Sequence, residues 1–207
     1  GTVTTITEGV TAELMTDSKY GDYQLDLDGL TDTIPSGTAI YGVIVSTKEG
    51  SDYGMRHLEN IWRVSELAWA TGFTTAVHNC PTSSEHYKAM MGQHINKVTY
   101  YTANGIYEIP VGGEEGLYVP VKFDTSAVAV ADAELKDGET SVATTISGLT
   151  LPEGFDAEYT VEGATAIVKG EKLILKDVKK GAYTLTITDK SGKYAPISFG
   201  LEVYAET

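Results

Sequence analysis

Apolar positions along the chain change their spacing near residue 117. Before that point, period-two runs mix with one clear period-3.6 run; after it, only period two remains. In YQLDLDGL, Tyr23, Leu25 and Leu27 alternate with Gln24, Asp26 and Asp28, the spacing of a half-buried strand. VTTITEGVTAELMT is rich in β-branched residues and breaks at Gly9, and TAIYGVIVST is an almost continuous apolar run that predicts a central strand. MRHLENIWRVSELAWATGF has a helical period. His57, Leu58, Ile61, Trp62, Val64, Ser65, Ala68 and Trp69 share one face, Arg56, Glu59, Arg63 and Glu66 lie opposite, and Gly72 supplies the stop. FTTAVH predicts a short strand. PTSSEHYKAMMG predicts a second helix, capped by Thr82 or Ser83, with Glu85 in its first turn and Gly92 at its end. INKVTYYT and GIYEIP flank Asn104-Gly105, a hairpin signal, and LYVPVKF resumes extended structure.

Beyond residue 117 no helix is expected. Short strands recur in VKFDTSAVAVA, TSVATTI, AEYTV, TAIVK, KLILK, AYTLTITD and PISFGLEVYA, separated by the turn-formers LKDGE, LPEGF and DKSGK. That rhythm predicts a β-sandwich. KGAYTLTITD resembles the strand entry that carries a tyrosine corner in immunoglobulin-like folds, with Tyr183 as the corner and Leu185 where antibody domains place a cysteine. The expected architecture is an α+β domain over residues 1–117, a mixed or antiparallel sheet with two helices, followed by an all-β immunoglobulin-like sandwich over 118–207.

Charge narrows the choice of partners. Among 207 residues, acidic side chains exceed basic ones by 29 − 15 = 14, with no Lys/Arg-rich cluster to gather a polyanion. Nucleic acid and anionic bilayers are therefore not expected partners. One cysteine rules out an intrachain disulfide and a four-cysteine zinc site. No apolar run is long enough for a membrane helix, so no direct membrane insertion is expected. GTVTTI is not a positively charged, apolar leader; a trimmed start and an extracellular or cell-surface address, as a monomer, are expected.

The densest candidate chemistry is HNCPTSSEHYKAMMGQH, residues 78–94. His78 and Cys80 would share a face of a strand, and His86 and Met90 a face of the following helix, with His94 beyond the Gly92 stop. With His57 upstream, these imidazole, thiolate and thioether groups form a soft donor set suited to zinc, copper or haem. The spacing H-x-C-x₅-H-x₇-H matches no established zinc signature, however. Met90, Met91 and Tyr87 fit equally well as the apolar face of a short helix, and His57 as a hydrogen-bonded structural histidine. Cys80 beside His78 is the only nameable nucleophile, and nothing supplies an orienting Asn or Asp. Asp26, Asp28 and Asp32 hint at calcium, but Leu30 occupies an alternate position where an EF-type loop needs an oxygen ligand. Tyrosine is abundant, thirteen against four phenylalanines; Tyr100, Tyr101 and Tyr107 fall on the predicted hairpin, and Tyr20 and Tyr23 flank Gly21. Such rings serve cross-strand packing or, where exposed, contact with sugars and proteins.

Taken together, YGMRHLENIWRVSELAWATGFTTAVHNCPTSSEHYKAMMG, the hairpin and LYVPVKF resemble a segment of large surface or secreted proteins of Gram-positive gut bacteria, which are described by similarity to the C domain of the treponemal penicillin-binding lipoprotein. The resemblance implies an extracellular modular protein. It carries over no β-lactam chemistry, because Ser-x-x-Lys, Ser-Asp-Asn and Lys-Thr-Gly are all missing and the nearest fragment, SDYG, has tyrosine where asparagine would stand. The expected function is a non-enzymatic binding, spacer or adhesion module that meets a protein or glycan ligand at the cell surface and needs no cofactor. Tyr53, His57 and Tyr87 are the candidate ligand contacts. The alternatives are a zinc, copper or haem protein using His57, His78, Cys80, His86, Met90 and His94, and then a cysteine-dependent enzyme.

Overall fold

The computed structural model describes residues 2–16, 24–35, 37–56, 62–63 and 90–207, and for residues 24, 31, 53–56, 62 and 63 the backbone alone. The chain divides into two compact units, Gly1–Pro120 and Val121–Thr207. The boundary expected between residues 117 and 118 would cut a two-residue strand, Leu117–Tyr118.

The first unit contains β1 (Val3–Thr5), β2 (Thr11–Met15), β3 (Gln24–Asp28), a one-turn α1 (Leu30–Thr33), β4 (Ala39–Thr47), β5 (Asp52–Arg56), β6 (Trp62–Arg63), β7 (His94–Thr102), β8 (Gly105–Pro110) and β9 (Leu117–Tyr118). Seven of these strands form one sheet in the order β1-β8-β7-β4-β5, with β6 also on β4 and β9 also on β7. β1 runs parallel to β8, and the other pairs are antiparallel. The run TAIYGVIVST does form a central strand, paired on both sides. β2 and β3 form a separate antiparallel pair. Of the alternation read in YQLDLDGL, Leu25 and Leu27 are buried in one core with Val43, Val45, Val98, Tyr100 and Ile109 of the large sheet, while Tyr23, and Tyr20 before it, lie outside the described residues. The β7–β8 hairpin is present, but Ala103 and Asn104 make its turn, while Gly105 already pairs with Thr102. Gly105 has φ +117°, and a Cβ there would stand 2.8 Å from the Thr2 carbonyl oxygen, so only glycine suits the position.

The expected α+β class with two helices is corrected: the described residues are mostly β, and their α-helical segment is a single turn. Residues 55–56 and 62–63 of the predicted first helix are extended. Arg63 pairs with Ala39 and Trp62 with Ile40 of β4, so pairing with a distant strand prevails there over the local helical period. The remainder of that segment, the strand expected in FTTAVH and residues 81–89 of the second predicted helix lie outside the described residues. Gly92, the stop expected for that helix, has φ +81°.

The second unit contains β10 (Ala129–Val130), β11 (Ala133–Leu135), β12 (Ser141–Ser147), β13 (Ala157–Val161), β14 (Thr165–Lys169), β15 (Lys172–Lys176), β16 (Gly181–Asp189) and β17 (Ile197–Ala205). They form two four-stranded sheets, β10-β12-β15-β14 and β11-β17-β16-β13. With strands lettered in chain order, these are the ABED and A′GFC sheets of the immunoglobulin arrangement. β11 runs parallel to β17, and the other pairs are antiparallel. Alternation sends Val142 and Ile146 inward from β12, Leu173 and Leu175 from β15, and Leu185 and Ile187 from β16, into one shared core. The tyrosine corner is formed: the Tyr183 hydroxyl donates to the Lys179 carbonyl at 3.2 Å and accepts from the Lys179 N–H at 3.0 Å.

The DKSGK turn is organised around Asp189, which is buried. Its carboxylate accepts the backbone N–H groups of Asp156, Ser191 and Tyr194, each at 3.0 Å, and the Ser191 hydroxyl at 2.8 Å. Burial pushes this carboxyl up, but the hydrogen bonds together outweigh burial and bring it from 3.8 to about 2. A carboxyl depressed on folding contributes stability that is complete above its unfolded value and is lost as pH falls through its folded one. The melting temperature of the second unit should therefore fall more steeply between about pH 4 and pH 2 in the wild type than in Asp189→Asn, whose curve starts lower. Parallel curves in an acid series of melts would show that Asp189 is not ionised in this turn.

Candidate functional site

Two groups of side chains in the first unit have functional potential, and the sequence pointed to only part of each. The first lies where the β4–β5 turn meets the start of β7. Glu49 Oε2 lies 2.7 Å from His94 Nδ1, and Glu49 Oε1 accepts the His94 backbone N–H at 2.7 Å. The Thr47 hydroxyl donates to Gln93 Oε1 at 2.6 Å, and the Lys48 N–H donates to the His94 carbonyl at 2.8 Å. The His94 ring stands 5.3 Å from that of Tyr118, tilted by 55°. The imidazole and the backbone N–H of His94 both draw the Glu49 carboxyl below its ordinary value of 4.5. Carboxylate, imidazole and backbone together fasten the turn to β7.

Of the proposed metal ligands, His94 is thus engaged through Nδ1. Met90 is buried with the apolar side chains of the first core, a packing role for its thioether. His57, His78, Cys80 and His86 lie outside the described residues, as does Tyr87. Tyr53 sits in β5 opposite Val45, placed by backbone alone. Among the described residues, no three His, Cys, Asp or Glu side chains are grouped to hold a metal ion. Asp32 of the calcium reading is an exposed residue in the single turn of α1.

The second group is formed by tyrosines of the large sheet, and strand parity separates them. Tyr100 points into the core at 0% exposure, and its hydroxyl has no hydrogen-bond partner among the described residues. Burial raises its phenol well above 10. Tyr107, its cross-strand partner, packs partly buried on the same core. Tyr101 points to the opposite face and is 38% exposed. Tyr41, one strand away, is 46% exposed. The pairing of β4 with β7 shifts register between Ile40 and Gly42, so Tyr41 is an extra residue in a bulge. Buried Ile40 and Val43 flank it, leaving Tyr41 and Gly42 on the outer side with Tyr101.

Register extends this group into a row across four strands. Val3 pairs with Ile106, Ile106 with Tyr101, and Tyr101 with Gly42 beside Tyr41; Arg56 of β5 stands opposite Gly42 at the far end. Val3 is among the exposed apolar side chains and Ile106 is half-buried. The next row on the same face is Thr5, Glu108, Thr99 and Ile44, and beyond it stand Pro110, Lys97, Ser46 and Asp52. Lys97 and Glu108 pair across these rows at 3.8 Å. The outer face thus carries an apolar, aromatic stripe about 14 Å long, three interstrand spacings, edged on one side by exposed Thr5, the Lys97–Glu108 pair, buried Thr99 and half-buried Ile44.

The chain matches no family model and no curated protein. Among solved structures it is similar to the Bacteroides ovatus mixed-linkage glucan utilization locus protein SGBP-B in complex with mixed-linkage heptasaccharide, at 15% identity over 53% of this chain and 29% of that one, with a TM-score of 0.22. It is also similar to Sidekick-1 immunoglobulin domains 1–5, at 13% identity, 98% and 39% coverage and a TM-score of 0.24. Sidekick-1 domains 1–4 give 12% identity, 98% and 48% coverage and a TM-score of 0.25. The chain spans less than half the length of each, and similarity this slight assigns neither fold nor ligand; the immunoglobulin arrangement of the second unit rests on its own strand order.

Proposed function

We propose that the chain is a non-enzymatic binding module of an extracellular or cell-surface protein, in which the outer sheet face of the first unit meets the ligand and the immunoglobulin-type unit is a rigid spacer. One observation carries this reading: Tyr41 and Tyr101 are exposed side by side on that face, with Gly42 between them. Two partly exposed aromatic rings on neighbouring strands offer planar, amphipathic contact area that suits a ligand. The bulge strengthens the argument, because it turns outward a tyrosine that regular pairing would place on the other side of β4. The sandwich builds its core, its tyrosine corner and its Asp189 turn from residues 121–207.

The test is retention of the labelled full chain on surfaces coated with mucin or with polysaccharide, compared with Tyr41→Ala/Tyr101→Ala. Loss of two aromatic contacts should weaken retention by about tenfold or more. Equal retention of the two proteins on every surface would remove the outer face from the function.

A further inference from the structure

We propose that the row Val3, Ile106, Tyr101 and Tyr41 is a track for a neutral glycan chain laid across the strands; this rests on the binding-module reading and names the ligand class for that face. The first argument is width. Alongside the stripe stand Thr5, Glu108, buried Thr99 and half-buried Ile44, with Lys97 and Ser46 beyond, so the polar groups within reach of a ligand are Thr5, Glu108 and Lys97. A stable protein pair buries ~800 Å² on each partner around an apolar centre. Four partly exposed side chains in single file do not supply such a centre. A sugar ring, by contrast, needs one flat aromatic face for its C–H groups and hydrogen-bonding side chains at its rim, the pattern of the two rows.

Charge gives the second argument. Lys97 and Glu108 pair across the polar rows, and on β5 Arg56 and Asp52 add one charge of each sign to the same face, so these rows carry no excess of either sign. The formal charge of −14 repels polyanions from the chain as a whole. A neutral, hydroxyl-rich polymer escapes that penalty.

Length gives the third. The stripe runs perpendicular to β1, β8, β7 and β4 for about 14 Å, so a linear chain of several sugar units is suited to it and a single monosaccharide leaves most of it uncovered. Gly42 opens the approach, because the position directly opposite Tyr101 on β4 carries no side chain. The ring of Tyr101 is thereby reachable from the Tyr41 side, and one ligand can touch both.

Native gel electrophoresis of the full chain through gels containing mixed-linkage β-glucan, xylan, mannan or dextran tests the proposal. At least one of these neutral polymers should retard the wild type. Tyr41→Ala/Tyr101→Ala should weaken that retardation by about tenfold, with an unchanged melting curve, while Tyr101→Phe keeps most of it because the ring face remains. Carboxymethylation of the retarding polymer should weaken binding. No retardation by any of the four overturns the proposal. Tyrosine-dependent binding to deglycosylated mucin polypeptide, or tyrosine-dependent self-association in sedimentation, also overturns it and leaves the binding-module reading standing. Equal behaviour of wild type and double variant with glycan, polypeptide and self-association alike removes both.

Discussion

Replacing Leu185 with alanine should destabilise the immunoglobulin-type unit by about 2–5 kcal/mol. Leu185 is completely buried in β16, pairs with Val161 and Phe199 on its own sheet, and shares a core with Leu173, Leu175 and Val142 of the other. It occupies the strand position where antibody domains join their sheets through sulfur, so here packing alone fills the centre of the sandwich. The leucine-to-alanine change leaves a void that rigid strands cannot close, and the loss comprises both the transfer energy and the cavity. For a unit of 121–207 this corresponds to a fall in melting temperature of roughly 8–40 °C. Denaturation of the full chain, read by hydrogen exchange on residues 181–189, isolates the effect. A loss below about 1 kcal/mol would mean that the neighbouring side chains collapse into the space.

Tyr100→Phe should act in the opposite direction, stabilising the first unit by about 1–3 kcal/mol. The Tyr100 ring packs in the core between β4 and β8, opposite Val43 and Tyr107, while its hydroxyl is buried without a partner among the described residues. A donor removed from water without a replacement bond costs roughly this amount. Phenylalanine keeps the ring and removes the cost. Hydrogen exchange of β7 in the two proteins measures the difference, and a slower-exchanging wild type would show that the hydroxyl is hydrogen-bonded in solution.

These residues mark how far the sequence could be read. Local signals were sound: the alternation in YQLDLDGL, the continuous run of β4, the DKSGK turn and the Tyr183 corner each depend on residues close together in the chain. Signals that depend on distant partners were not. Trp62 and Arg63 fit one helical wheel, yet the pairing partners that make them extended lie in β4, at Ala39 and Ile40. Between Thr38 and Ser46 the run AIYGVIV has no charged, amide or aliphatic hydroxyl side chain to mark a face, so it is silent about which way Tyr41 points; the register shift beside Gly42 decides it. Glu49 and His94 stand 45 positions apart, and no spacing rule joins them. Tyr100 and Tyr101 look alike in the sequence, and strand parity makes one a core residue and the other a surface ring. The metal reading of residues 57–94 rested on clustering in sequence. Of its six residues, the two described ones have other engagements, Met90 in the core and His94 on Glu49.

The parallel pairing of β11 with β17 also has a mechanical meaning. β11 is near the beginning of its unit and β17 ends it, and Ala133 faces Val203, Glu134 faces Tyr204 and Leu135 faces Ala205. In a parallel pair, the entering end of one strand and the leaving end of the other lie at opposite ends of the ladder. Tension along the chain therefore slides the two strands past each other and loads every rung together, where an antiparallel end pair would be peeled one rung at a time. Two side chains fasten the ladder further: Asp132 accepts the Glu202 N–H at 2.8 Å, and Glu206 accepts the Asp137 N–H at 3.2 Å. A tether held at one end and pulled at the other would first draw on β10, held to β12 by a two-residue antiparallel pair, and then meet the β11–β17 seam in shear.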